Sequence, residues 1–187
     1  MNNFRVPLLT AFHILTALLT IFSIGVVFNY FSTGRGYGLT FITLLITTFM
    51  WFFLYFIYAS SRKKVKNIIN SVFGEHDVNK VVLIYNSLSG RCFCINSETG
   101  DILLIALNGK GEKVFGLDYD IWSGYEIEGS KLTLKFNNLA IPYFTIHDVT
   151  VPKFKHKLDV LLSYNYQLNE KEKNTFSNTV QQKLQPA

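Results

Sequence analysis

The first 74 residues contain no aspartate or glutamate. They carry six basic residues, whereas the rest of the chain carries 12 basic and 13 acidic ones, so the formal charge of +5 belongs to the N-terminal part alone. A nucleic-acid binder places its Lys and Arg on the folded surface that meets phosphates. The nearly neutral C-terminal part excludes that class as the leading reading. Cysteine is scarce: only Cys92 and Cys94 occur. They lie two apart in an apparent strand, on one face, with a local geometry that does not suit a mutual bridge. No C-x-x-C or Cys/His spacing points to a metal, and the scarcity fits a reducing, cytosolic location.

What the acid-free region does contain is two apolar runs, Pro7–Phe31 and Leu39–Ala59. A membrane-spanning helix needs about 20 mainly apolar residues. His13 and Asn29 are the least apolar members of the first run, and the second has no charge. A cleaved signal peptide fits poorly, because the first run is too long for a signal core and no A-x-A site follows it. Trp51, Tyr55 and Tyr58 at the end of the second run suit a headgroup boundary, with Tyr30 and Tyr37 on the opposite side. The link Ser32–Gly38, with three glycines, predicts a tight turn between antiparallel helices. Arg62, Lys63, Lys64 and Lys66 follow the second run directly, and by the distribution of Lys and Arg both termini are cytoplasmic. The expectation is a two-helix transmembrane hairpin, multi-pass in a bacterial inner membrane. The four basic residues are expected to contact anionic lipid headgroups, at about 1 kcal/mol each. A purely topogenic role is the simpler alternative.

Residues 61–74 read as a juxtamembrane basic amphipathic helix: Val65, Ile68, Ile69, Val72 and Phe73 recur at helical spacing, and Gly74 is a natural stop. Strand patterns follow at Lys80–Tyr85, Arg91–Asn96, Asp101–Leu107, Val114–Tyr119, Ile121–Glu128, Lys131–Phe136 and Leu139–His147, separated by turn signals. A kink is expected near Asp118–Asp120. Pro142 makes the last strand an edge or a bent one. After Pro152 the period turns helical, with Phe154, Leu158, Leu161 and Leu162 on one face. Residues 167–187 are rich in Asn, Gln, Lys and Glu and read as a polar tail, helical in part at most.

The fold class expected is therefore α+β, with antiparallel sheets or a small barrel after the hairpin. Residues 79–166, through the hairpin pair Tyr119–Phe136, the strand Ile141–Ile146 and the closing helix, resemble the pleckstrin-homology-like (PH-like) domains of small bacterial membrane-anchored proteins. In its size, its two spans and its richness in Asn, Phe, Tyr and Lys, the chain is also similar to plasmid entry-exclusion proteins. Neither resemblance carries a functional residue.

A search for chemistry finds weak patterns only. His147-Asp148 are neighbours on a strand and point to opposite faces. Asp118 and Asp120 flank Tyr119 without a loop that supplies the six to eight oxygens calcium takes. Gly109-Lys110-Gly111 lacks P-loop spacing and a following helix. His13 reads as an interfacial or packing residue rather than a proton relay, and the many threonines as helix-packing groups. Lys153, Lys155 and Lys157 offer a second basic contact. No catalytic residue, metal or other cofactor is expected. The reading is a non-enzymatic membrane-anchored interaction protein, most concretely an entry-exclusion or immunity factor that meets an incoming conjugation, phage or toxin component. It acts on the lipid bilayer, with homo-oligomerisation open and nucleic acid excluded. The alternative is a membrane-tethered sensor or scaffold that recruits a cytoplasmic partner.

Overall fold

The computed structural model describes residues 5–74, 77–108, 111–163, 168 and 175–184. The chain is α+β and divides into two compact units, residues 1–61 and 62–187.

The first unit is a helical hairpin made of α1 (Arg5–Thr33) and the first part of α2 (Tyr37–Phe73). Both helices are long and apolar enough to cross a membrane. Each runs further than the apolar pattern predicts, so Gly34-Arg35-Gly36 alone joins them. Gly34 and Gly36 have φ of 67° and 90°, a left-handed conformation that glycine adopts without a Cβ penalty. The Gly34 N–H donates to Tyr30 O at 2.8 Å and closes α1. Between the helices lie Leu9, Thr16, Ser23, Thr40, Thr43, Thr47 and Leu54, all buried. The outer surface is the apolar one: among the described residues, 22 of the 27 exposed large hydrophobic ones fall between Leu8 and Phe56.

In the second unit α2 continues without a break past the basic cluster. It stops at Gly74, whose N–H donates to Asn70 O at 2.9 Å and whose φ is 82°. Among the described residues seven strands follow: β1 (Val81–Asn86), β2 (Arg91–Asn96), β3 (Ile102–Asn108), β4 (Gly111–Leu117), β5 (Trp122–Glu128), β6 (Lys131–Phe136) and β7 (Tyr143–His147). They form two antiparallel sheets, β1-β2-β3-β4 and β5-β6-β7. The expected kink between β4 and β5 is a 3-10 turn, Tyr119–Ile121. The last strand is shorter than its pattern, because Pro142 lacks an N–H for the ladder. β7 therefore begins after it, as an edge, and Phe136 N–H donates to Pro142 O at 3.0 Å.

The first sheet is covered on both sides. Side chains alternate along a strand, so Phe93, Ile95, Ile102 and Leu104 face the second sheet and α3 (Val151–Leu161). Cys92, Cys94, Leu103, Ile105 and Leu107 face the other way, into a second apolar cluster. That cluster is closed by Val65, Ile68, Ile69 and Val72 of α2 and by Phe176 and Val180 of α4 (Thr175–Leu184). Double burial explains why β3 reads as an unbroken apolar run. The helix α3 buries Val151, Phe154, Leu158 and Leu161, with Leu162 partly covered. Just before it, Asp148 Oδ1 accepts from Thr150 N–H at 2.8 Å and from the Thr150 hydroxyl at 2.6 Å, which shapes the turn leading into the helix. The expected turn at Gly109-Lys110, His76, and residues 167, 169–174 and 185–187 of the polar tail lie outside the described residues.

Candidate functional site

The basic residues occupy one face of a helix whose other face is buried. Arg62, Lys63, Lys64 and Lys66 are exposed, while Val65, Ile68, Ile69 and Val72 turn into the second apolar cluster. This division follows from 3.6 residues per turn: positions 65, 68, 69 and 72 line one stripe, and the cations project from the remainder. Lys64 Nζ donates to Glu112 Oε1 of β4 at 3.0 Å, an exposed pair. Exposed pairs contribute at most about 1 kcal/mol. Among the described residues Arg62, Lys63 and Lys66 make no ion pair, so three cations stay available to an anionic surface. Lys153, Lys155 and Lys157 are exposed on α3 and provide a separate basic face.

The hairpin carries a ladder of polar groups on its inner side. Ser23 and Thr47 hydroxyls lie 2.7 Å apart, and Ser23 Oγ also reaches Thr43 O at 3.4 Å. Trp51 Nε1 donates to Thr20 Oγ1 at 3.1 Å. His13 Nδ1 lies 2.8 Å from Leu9 O, which can only accept, so that nitrogen carries the proton. Its Nε2 lies 3.3 Å from Tyr58 OH. The ring is thereby held between its own helix and α2, the arrangement of a packing residue. Thr16, Thr20, Thr43 and Thr47 bond carbonyls of their own helices. The sequence marks the threonines, but nothing local signals the Ser23–Thr47 and Trp51–Thr20 pairings, or Glu112 as the partner of Lys64.

The other chemical candidates do not assemble. Asp148 is engaged by Thr150 in the turn before α3, and His147 is exposed at the end of β7, opposite Lys131. Asp118 precedes the 3-10 turn and Asp120 lies within it. Among the described residues no group of three or more His, Cys, Asp or Glu is placed to hold a metal ion. Cys92 and Cys94 are free thiols, fully buried, with Sγ atoms 3.3 Å apart. Burial pushes the Cys94 thiol well up, and the bond to Cys92 adds to this. That environment suppresses the thiolate needed for reactivity. Arg91 Nη1 crosses from β2 to Thr145 O of β7 at 2.7 Å and lies over the Phe144 ring, and burial lowers its pKa.

No protein-family model matches this chain, and neither a curated protein nor a solved structure is detectably similar to it.

Proposed function

We propose that this is a non-enzymatic, membrane-anchored interaction protein of the bacterial inner membrane, with both termini in the cytoplasm. One observation carries the reading: the helical hairpin buries Thr16, Ser23, Thr40, Thr43 and Thr47 between its helices and turns most of its aromatic and aliphatic side chains outward. Soluble monomers rarely expose contiguous apolar patches above a few hundred Å², whereas a bilayer interior favours this inside-out arrangement. A buried core helix of a soluble protein is the competing explanation. Only 11% and 22% of the most apolar windows of α1 and α2 are buried, which speaks against it.

In this reading Arg62, Lys63 and Lys66 lie at anionic headgroups, adding about 1 kcal/mol each to association and holding their flank on the cytoplasmic side. The four-strand and three-strand sheets followed by α3 have the order expected of a PH-like domain. That likeness supports an interaction module and does not name a ligand. The most concrete biological form is entry exclusion or immunity against an incoming conjugation, phage or toxin component. A tethered scaffold for a resident cytoplasmic partner is the alternative.

Carbonate extraction of membranes from expressing cells, with a reporter fused to the C-terminus, tests anchoring and orientation. The chain is expected in the pellet with the reporter active in the cytoplasm, and release into the supernatant would defeat the reading. Expression in recipient cells tests the exclusion role. Reduced uptake of a related plasmid or phage supports it, and unchanged uptake leaves the scaffold.

A further inference from the structure

We propose that the loop joining β6 to β7, with Leu139 at its tip and Tyr143 at its foot, docks a basic cytoplasmic protein whose Lys and Arg side chains meet Asp118 and Asp120 beside it. This rests on the membrane-anchored interaction reading above and deepens it, naming the face that meets the partner and the partner's chemistry.

The loop holds apolar side chains out in the open on a fixed backbone. Leu139 is 104% exposed, more than any other large hydrophobic residue among those described, and Tyr143 is 63% exposed. Ala140 and Pro142 are exposed as well, while Ile141 packs against the core beneath the tip. Asn138 Oδ1 accepts from Ala140 N–H at 2.8 Å. Phe136 N–H donates to Pro142 O at 3.0 Å, and Asn137 N–H donates to Ile121 O at 2.7 Å. A loop tied in this way loses little freedom when something covers it, so burial of Leu139 adds to affinity instead of being spent on ordering. Tyrosine on such a framework is a common anchor of protein interfaces.

Charge identifies what fits there. The register of the four-stranded sheet gives it two ends. At one, Asn86 pairs with Arg91 and Asn108 with Gly111, and Lys64 of α2 reaches Glu112. At the other, Val81 pairs with Asn96 and Ile102 with Leu117. Arg62, Lys63, Lys64, Arg91 and Lys113 belong to the former, the basic end. Segments 77–80, 97–101 and 118–121 build the latter. They carry Asp77, Glu98, Asp101, Asp118 and Asp120 against one base, Lys80, which Glu98 and Asp77 already hold. Asn137 ties the β6–β7 loop to this acidic end, at the 3-10 turn that contains the exposed Asp120. Lys135, opposite Tyr143, is held by Glu126. The strands put about 20 Å between the two ends, more than twice the screening length of about 8 Å at physiological salt. Each end therefore acts through its own field. Carboxylates beside Leu139 repel phosphates, which sets nucleic acid and anionic lipid aside, and they steer a cationic protein towards the loop. A second copy would present its cations from its opposite end.

The test uses the full chain in phosphatidylcholine nanodiscs with Leu139→p-benzoylphenylalanine. It is offered two amphipathic peptides of equal leucine content, one built with lysine and the other with glutamate. On irradiation the lysine peptide should be attached at least about tenfold more than the glutamate peptide. Asp118→Asn combined with Asp120→Asn should cut that labelling about threefold or more, and so should about 0.5 M salt. Equal labelling of the two peptides, labelling of neither, or labelling that the Asn pair leaves unchanged overturns the proposal. An adduct with the nanodisc lipid or with phosphatidylglycerol vesicles overturns it too, by making the loop a membrane wedge, and a cross-linked dimer does so by making it a self-association surface. If the variant is not protease-resistant like the natural chain, Tyr143→p-benzoylphenylalanine decides the matter by the same outcomes. Carbonate extraction of membranes from expressing cells reports separately on anchoring, so failure of that reading is distinguishable from failure of docking.

Discussion

Phe176→Ala removes the ring that anchors α4, and the structure determines where the loss should be felt. Phe176 is 3% exposed and stacks on Phe73. Truncating a buried Phe costs about 3–5 kcal/mol. At 1.4 kcal/mol per decade, that lowers the protection of any segment opening through this contact by about two to three and a half decades. Because α4 can leave while the two sheets and α3 keep their own core, the effect should be local. Hydrogen–deuterium exchange of the full chain, read by mass spectrometry, measures it. Peptides covering 175–184 should lose most of their protection, while those covering β3 and β6 keep theirs. Phe93→Ala is the contrast: Phe93 is fully buried and its ring meets Trp122 and Phe154, at 5.8 and 6.4 Å. A loss of similar nominal size there should lower protection throughout the second unit. Parallel acceleration of β3, β6 and α4 in Phe176→Ala would refute the reasoning, as would an unchanged α4.

Three further outcomes are expected. A double-mutant cycle with Ser23→Ala and Thr47→Ala should give a coupling of about 0.6 kcal/mol, and no more than about 1.7, in bilayer unfolding experiments; zero coupling would remove the hydroxyl pair as a packing determinant. Asp148→Ala should cost about 0.5–1.5 kcal/mol in urea unfolding through loss of its bonds to Thr150 in the turn before α3, without changing any activity later found, and a catalytic phenotype with intact stability would contradict that role. Tyr125 is pushed up to about 12 from 10.0, by desolvation first and by its bond to Asp159 second. The folded state therefore keeps a proton that the unfolded chain sheds, so the stabilisation is complete below about pH 10 and is lost as pH rises towards 12. Tyr125→Phe should flatten the alkaline fall in stability, and an unchanged slope would count against this.

Much of the β-rich part is legible in the residues because its strands alternate and its turns carry Gly, Asn and Ser. Arg91–Asn96 and Lys131–Phe136 appear in the structure at the bounds the pattern predicts. The boundary after Ala59 is different. Composition changes there from apolar to basic, but no Gly or Pro interrupts the backbone between Ala59 and Phe73, so α2 runs on. A change of side-chain surroundings is not a helix stop. The C-terminal segment shows the opposite weakness. Phe176, Val180 and Leu184 have helical spacing, yet they are diluted among polar residues, and their burial depends on a missing Cβ at Gly116 that no local pattern reveals. Of the basic cluster, the cations were legible, but the diversion of Lys64 to Glu112 spans 48 positions and is a tertiary fact.

The Ser23–Thr47 contact inside the hairpin also implies an unusual map of mutational tolerance. In a water-soluble domain the exterior accepts nearly any polar replacement and the interior demands oil. In the bilayer setting proposed above the demands are inverted. Positions such as Phe22, Phe28, Phe49 and Phe56 should accept one greasy side chain for another but reject charge, whereas Ser23, a small buried hydroxyl, should reject a bulkier aliphatic residue.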